Sequence, residues 1–301
     1  MANLRLLVRR RKAIRNIRKI TRTMELIATS RFQRALKRAQ EAEAYTRKIA
    51  ELAAELSRNS GDVTHPLLEP RPQVRNALVL VLTSNRGLCG GYNAGILREA
   101  SHLLRTFQAN QTPFALEVSG KRGMAYFRFQ KIARSEEYTH FEDKPTFEQV
   151  DKIASCYIDR FVSGEIDRVF VVYQKFFNAA RQIPVAEPLL PLTSVHLETR
   201  GGKPADSAAA QASPARVEYE FLPDAADILS ELVPVAFKVR LFKCFLDAAV
   251  SEQIARRVAM KAATENAGDL IKSVTRLYNR TRQANITREI SELIGGAEAL
   301  T

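Results

Sequence analysis

The sequence predicts an α/β protein: a long antiparallel coiled coil of N- and C-terminal helices, with an inserted Rossmann-like α/β domain. Three observations predict it. The first 57 residues contain neither Pro nor Gly. From Val235 to Ile294 there is no Pro and a single Gly, Gly268. Between these two stretches, short apolar runs alternate with helical patterns, the order that builds a sheet with crossover connections.

The N-terminal helix is expected over residues 1–57. Its seam runs at gaps of three and four through Ile14, Ile17, Thr21, Met24, Ala28, Arg31, Ala35, Arg38, Ala42, Tyr45, Ile49, Leu52 and Leu56. Thr21, Arg31 and Arg38 are its polar members. The many alanines predict close approach by a partner helix.

Pro66, Pro70 and Pro72 end that region. The α/β domain is expected over 75–222. Asn76–Thr83 is a continuous apolar run of strand length, as in strands buried on both faces. A glycine-rich turn follows, leading into a helix that lasts to about Thr106. Pro113–Val118 reads as a strand, Lys121–Phe129 and Thr146–Val162 as helices, and Arg168–Phe176 and Ile183–Leu189 as strands. Residues 197–216 read as a surface loop, and Val217–Phe221 as a return to the sheet.

The C-terminal helix is expected over 224–301, with Pro234 as a kink or restart. Its seam takes in Phe242, Leu246, Ala249, Met260, Ala263, Ala267, Leu270, Val274, Leu277 and Ala284, and is interrupted at Gln253, Arg256 and Thr281. Sixty helical residues span about 90 Å. Such a seam needs cover from outside the chain or from another long helix within it, and the N-terminal helix has a seam of similar length.

Charge is sorted unevenly. Residues 1–50 hold fifteen Lys or Arg against Glu25, Glu41 and Glu43, which is a surplus of twelve in a chain of net charge +13. A basic helix suits nucleic acid, an anionic lipid surface or an acidic protein surface. The run Arg9, Arg10, Arg11, Lys12 crosses every side of the helix, which argues against a merely solvated face. An Arg-rich, acid-poor start also fits a transit peptide, but the seam beginning at Ile14 shows no cleavable break. No run of eighteen apolar residues occurs and no secretory signal is present, so a soluble chain is expected. Cys89, Cys156 and Cys244 are odd in number and lack metal-ligand spacing, which fits a reducing compartment and no metal site.

Chemistry is sparse. Ser84–Gly95 (SNRGLCGGYNAG) occupies the strand-to-helix position of phosphate-binding turns. Its spacing is neither GxGxxG nor GxxxxGK[ST], so a structural turn is expected and no cofactor. Cys89 reads as a small buried thiol, and no carboxylate pair or triad marks a catalytic site.

Three segments carry a family resemblance. Lys19–Ala35 (KITRTMELIATSRFQRA) resembles the N-terminal helix motif of the F-type ATP synthase gamma subunits. Leu82–Arg98 (LTSNRGLCGGYNAGILR) is similar to their glycine-rich turn, with Asn85 where the family usually has Asp. Tyr278–Leu300 (YNRTRQANITREISELIGGAEAL) is similar to their C-terminal signature. The resemblance implies a rotor: a helix pair inside a ring of alpha and beta subunits, and an α/β domain against the epsilon subunit and the membrane c ring. It implies a non-catalytic chain, peripheral to the cytoplasmic face of a bacterial inner membrane. It implies that Arg282, Gln283, Thr287 and Glu289 lie near a beta-subunit loop, with Leu26 on the facing helix and Arg9 and Arg10 as a basic pair. Asn85 removes whatever salt bridge the family's Asp makes. Two other readings fit parts of the pattern: a basic coiled-coil nucleic-acid binder, and a nucleotide-dependent enzyme with helical arms.

Overall fold

The computed structural model describes residues 4–59, 65–71, 74–141, 144–192 and 225–298. Two long helices bracket the chain, α1 (Leu4–Asn59) and α5 (Ala225–Glu298). Between them lie β1 (Ala77–Leu82), α2 (Tyr92–Ala109), β2 (Phe114–Ser119), α3 (Lys121–Phe129), β3 (Glu136–Tyr138), α4 (Phe147–Val162), β4 (Arg168–Phe176) and β5 (Gln182–Leu190). The expected loop at 197–216 and strand at Val217–Phe221 fall outside the described residues. The chain divides into two compact units, one of 1–31, 88–90 and 253–301, the other of 32–87 and 91–252.

The larger unit holds a five-stranded sheet of order β3-β2-β1-β4-β5. Strands β3, β2, β1 and β4 are parallel and β5 is antiparallel to β4. β1 is buried along its whole length. Its Leu78, Leu80 and Leu82 join a core with Val150, Ile153 and Tyr157 of α4 and with Val233, Phe237 and Leu241 of α5. The alternate side chains, Val79 and Val81, face the opposite layer, as strand geometry requires. Pro184 and Pro188 are tolerated because β5 is an edge strand. A capping box of Thr146 and Gln149 starts α4.

Two expectations change. Of the kink or restart expected at Pro234, the restart is excluded, because the proline sits inside the helix. An internal proline costs about 3 kcal/mol, and burial of Val233, Ala236 and Phe237 around it offsets that cost. β3 is a strand that the sequence reading passed over. It is three residues long, at the sheet edge, and none of its side chains is buried, so it has no apolar pattern to read.

A charged cluster binds α5 to β4 and β5. Glu187 accepts hydrogen bonds from Tyr173 Oη (2.8 Å), Lys175 Nζ (3.0 Å) and Arg240 Nη2 (2.9 Å). Burial disfavours its ionisation, but Arg240 and Lys175 outweigh burial and hold the carboxyl down to about 2. A depressed carboxyl stabilises the fold fully above its ordinary 4.5, and that contribution is lost as pH falls towards 2. Glu187→Gln is therefore expected to cost about 2–3 kcal/mol at pH 7. The difference from wild type should shrink on acidification, as thermal melts of the full chain at pH 7 and pH 3 would show. A loss equal at both pH values would mean that the charge contributes nothing.

Candidate partner-binding surface

The smaller unit is built from the first part of α1, the last part of α5 and Leu88–Gly90. The helices pair antiparallel. Arg11 lies over the Tyr278 ring at 5.1 Å, and Thr264 Oγ1 donates to Thr21 Oγ1 at 2.9 Å. Along the last part of α5, buried residues recur every seventh position at Gln253, Met260, Ala267 and Val274, with Ile254 and Arg256 buried beside the first of them. Along α1 they are Leu7, Thr21, Glu25 and Ala28.

This seam keeps Thr21, Ala28, Met260, Ala267 and Val274 of the expected one and departs from it elsewhere. Ile17 is 53% exposed and Leu277 is 46% exposed, and Leu270 is exposed as well, so none of the three is a buried seam residue. Gln253 and Arg256, read as interruptions, are buried. Helical periodicity supplies candidate faces on all sides of a rod, and contact with one partner helix closes only a narrow strip. In the larger unit Ala35 and Ile49 of the expected seam are buried, and Phe32 is buried as well.

Large apolar side chains therefore remain on the surface of this helical unit. They include Leu6, Ile20, Leu26, Ile27 and Val258. From Arg282 to Gly295 every residue of α5 except Asn285 is exposed. Ile286, Ile290 and Leu293 stand four and three residues apart, so they form one stripe along the helix. Sequence reasoning did not find that stripe, because the expected seam ends at Ala284. The signal was present as the four-then-three spacing itself.

All seven residues singled out for partner contact are exposed: Arg9, Arg10, Leu26, Arg282, Gln283, Thr287 and Glu289. At about 100° per residue, Arg282 and Glu289 share one face of α5. Gln283 and Thr287 share another, with the apolar stripe between the two. The four therefore form two polar borders of an apolar strip rather than one patch. On the same unit, Arg15, Arg18, Lys19, Arg22, Thr23, Thr264 and Ile271 line an open groove of about 1010 Å³. Four cations line it, of which Arg22 is paired with Glu25 at 2.9 Å, so the groove is basic and suits an anionic surface.

The glycine-rich turn is a protein-filled junction. The Ser84 amide donates to Asn93 Oδ1 (3.0 Å), and the Gly123 amide donates to Thr83 Oγ1 (2.9 Å). Asn85 Nδ2 donates to the Thr139 and Phe141 carbonyls (3.1 and 3.3 Å), and its Oδ1 accepts from the Lys121 amide (3.1 Å). A carboxylate has no proton for the first two bonds, so the amide suits this junction. Cys89 is buried, as expected for a structural thiol. Beside it, a Cβ at Gly90 would lie in ordinary contact, 3.6 Å from Ala259 Cβ, but Gly90 has φ +57°. Among the described residues no group of His, Cys, Asp and Glu is arranged for a metal, and no helix is long and apolar enough to cross a membrane.

Residues 3–300 match the family described as ATP synthase. The chain is 52% identical over its whole length to the ATP synthase gamma chain of Rhodopirellula baltica, covering 99% of that protein. It is 36% identical to the ATP synthase gamma chain of Leptospira biflexa, with both chains covered completely. Its fold resembles a chain in the Euglena gracilis mitochondrial ATP synthase (OSCP/F1/c-ring), with a TM-score of 0.64, 19% identity, and 99% of this chain and 94% of that one covered.

Proposed function

Because the chain belongs to the ATP synthase gamma-chain family, we propose that it is a non-catalytic rotor subunit. It is part of the central stalk of an ATP synthase and couples ion flow through the c ring to ATP synthesis and hydrolysis on the beta subunits. Its partners are the alpha and beta subunits, the epsilon subunit and the c ring. It is a peripheral component of the F1 sector. The bacterial relatives support a place on the cytoplasmic face of the inner membrane. The full-length match carries this reading, and it leaves the nucleic-acid reading of the basic helix without support.

The exposed chemistry of the helical unit suits rotation. A turning helix pair must touch its surroundings at every angle and lock at none. Exposed charge pairs contribute only about 0–1 kcal/mol each, so Arg9, Arg10 and the basic groove attract acidic partners without trapping the rotor. The stripe Ile286–Ile290–Leu293 offers a smooth apolar surface, on which no directional bond must break during a turn. Arg282 and Glu289 on one border, and Gln283 and Thr287 on the other, supply the directional contacts to a beta-subunit loop. Leu26 adds an apolar contact from α1.

Co-expression of a tagged chain with alpha and beta subunits tests the reading. Both subunits should co-purify with it, the complex should hydrolyse ATP, and the tagged chain alone should not. Purification without alpha and beta would overturn the rotor assignment, and hydrolysis by the chain alone would overturn the non-catalytic one.

A further inference from the structure

Asp247 lies on α5 in the larger unit and is only 6% exposed. Among the described residues it has no hydrogen-bond or ion-pair partner. The cations nearby are committed to other carboxylates: Lys175 and Arg240 to Glu187 at 3.0 and 2.9 Å, and Lys243 to Glu43 of α1 at 4.0 Å. The Lys243–Glu43 pair is the longest of these, and Glu43 is largely exposed. Lys243 stands four residues before Asp247 on the same helix, so the two side chains share a face. From the other elements, β4 presents Tyr173 and Lys175, β5 presents Glu187, and α2 sends the Tyr92 hydroxyl to the Ala248 carbonyl. α5 itself adds Arg240, Cys244 and Ser251, whose hydroxyl is buried without a partner.

We propose that Asp247 is a proton-controlled switch that decides whether Lys243 pairs with Glu43 of α1 or with its own helix. Protonated, Asp247 needs no counter-charge, and Lys243 reaches across to Glu43. When the proton leaves for solvent, the buried carboxylate requires a cation. Lys243 is the one held most weakly elsewhere, so it turns back and the link between α1 and α5 opens. Cys244 and Tyr173 stay neutral throughout, since burial pushes the Cys244 thiol up to about 12 and the Tyr173 phenol well above its ordinary value. Burial likewise raises the Asp247 carboxyl, opposed by Lys243 and Lys175 and reinforced by Glu43 and Glu187, to about 7. The sign follows from linkage. An acid raised from its ordinary 3.8 to about 7 loses its proton on opening, so opening becomes easier as pH rises between those values and levels off above 7.

Amide hydrogen exchange around Glu43 and Lys243 tests this in the full chain within its assembled complex, at pH 6 and pH 8.5, corrected for intrinsic exchange. The opening constant in the wild type should rise about tenfold across that range. Asp247→Asn should make it flat and protected. Glu43→Gln should also make it flat, but at the open level, because Lys243 then has no partner on α1. Asp247→Ser provides a second neutral side chain should the asparagine fail to fold. A tenfold rise that survives neutralisation of Asp247 would overturn the switch, as would a wild type with no rise.

Discussion

The Arg282→Ala/Gln283→Ala double variant is expected to assemble like the wild type and to turn over ATP about tenfold more slowly. The residues lie on adjacent faces of a stretch of α5 that is exposed almost throughout, so truncating them removes no packing and leaves the helix intact. Arginine offers a forked donor that a carboxylate accepts through two bonds, and the glutamine amide adds a donor and an acceptor. A charge-assisted hydrogen bond contributes about 1.5–3 kcal/mol, and about 1.4 kcal/mol corresponds to a tenfold change in rate. Arg282→Ala alone should account for most of the effect, since only that side chain is charged. ATPase rate and proton pumping of the purified complex are the measurements. Wild-type values for both would reduce the pair to solvated helix surface.

Gly120→Ala should be the most damaging single substitution in the sheet unit. Gly120 has φ +100° between β2 and α3, and a Cβ there would come within 2.1 Å of the Thr83 carbonyl oxygen. That carbonyl belongs to the backbone directly after β1 and has little room to move, because the Thr83 amide donates to Ser119 O at 2.8 Å. Strain at a positive φ costs about 1–3 kcal/mol and overpacking about 1–3 kcal/mol more. The sum is a large part of the 5–15 kcal/mol that holds a typical domain folded. The midpoint of thermal unfolding should fall by roughly 10 °C, and assembly with the other subunits should drop with it. An unchanged melting curve would show that the β2–α3 junction relaxes around a methyl group.

Much of this architecture was legible because its signals are local. Lys121–Phe129 and Arg168–Phe176 end where the sequence pattern ends. Continuous apolar runs of strand length bounded by turn residues fit buried strands, and a Pro- and Gly-free heptad pattern held over many turns fits a helix. The C-terminal signature likewise carried the family, since identity of side chains needs no knowledge of their surroundings.

Which side chains meet was decided only by the tertiary structure. Ile17 and Leu277 satisfy the repeat yet face outward, while Thr21, Glu25, Gln253 and Arg256 break its chemistry and are buried. Periodicity establishes that a helix has faces. The partner's position selects the face that closes, and it selects by fit, so polar residues at the line of approach are buried along with the rest. For the same reason the exposure of Ile286, Ile290 and Leu293, whose spacing the sequence already carries, and the burial of Asp247 emerge only from three-dimensional packing. Exposure and desolvation are properties of the space around a side chain, which neighbours distant in sequence create.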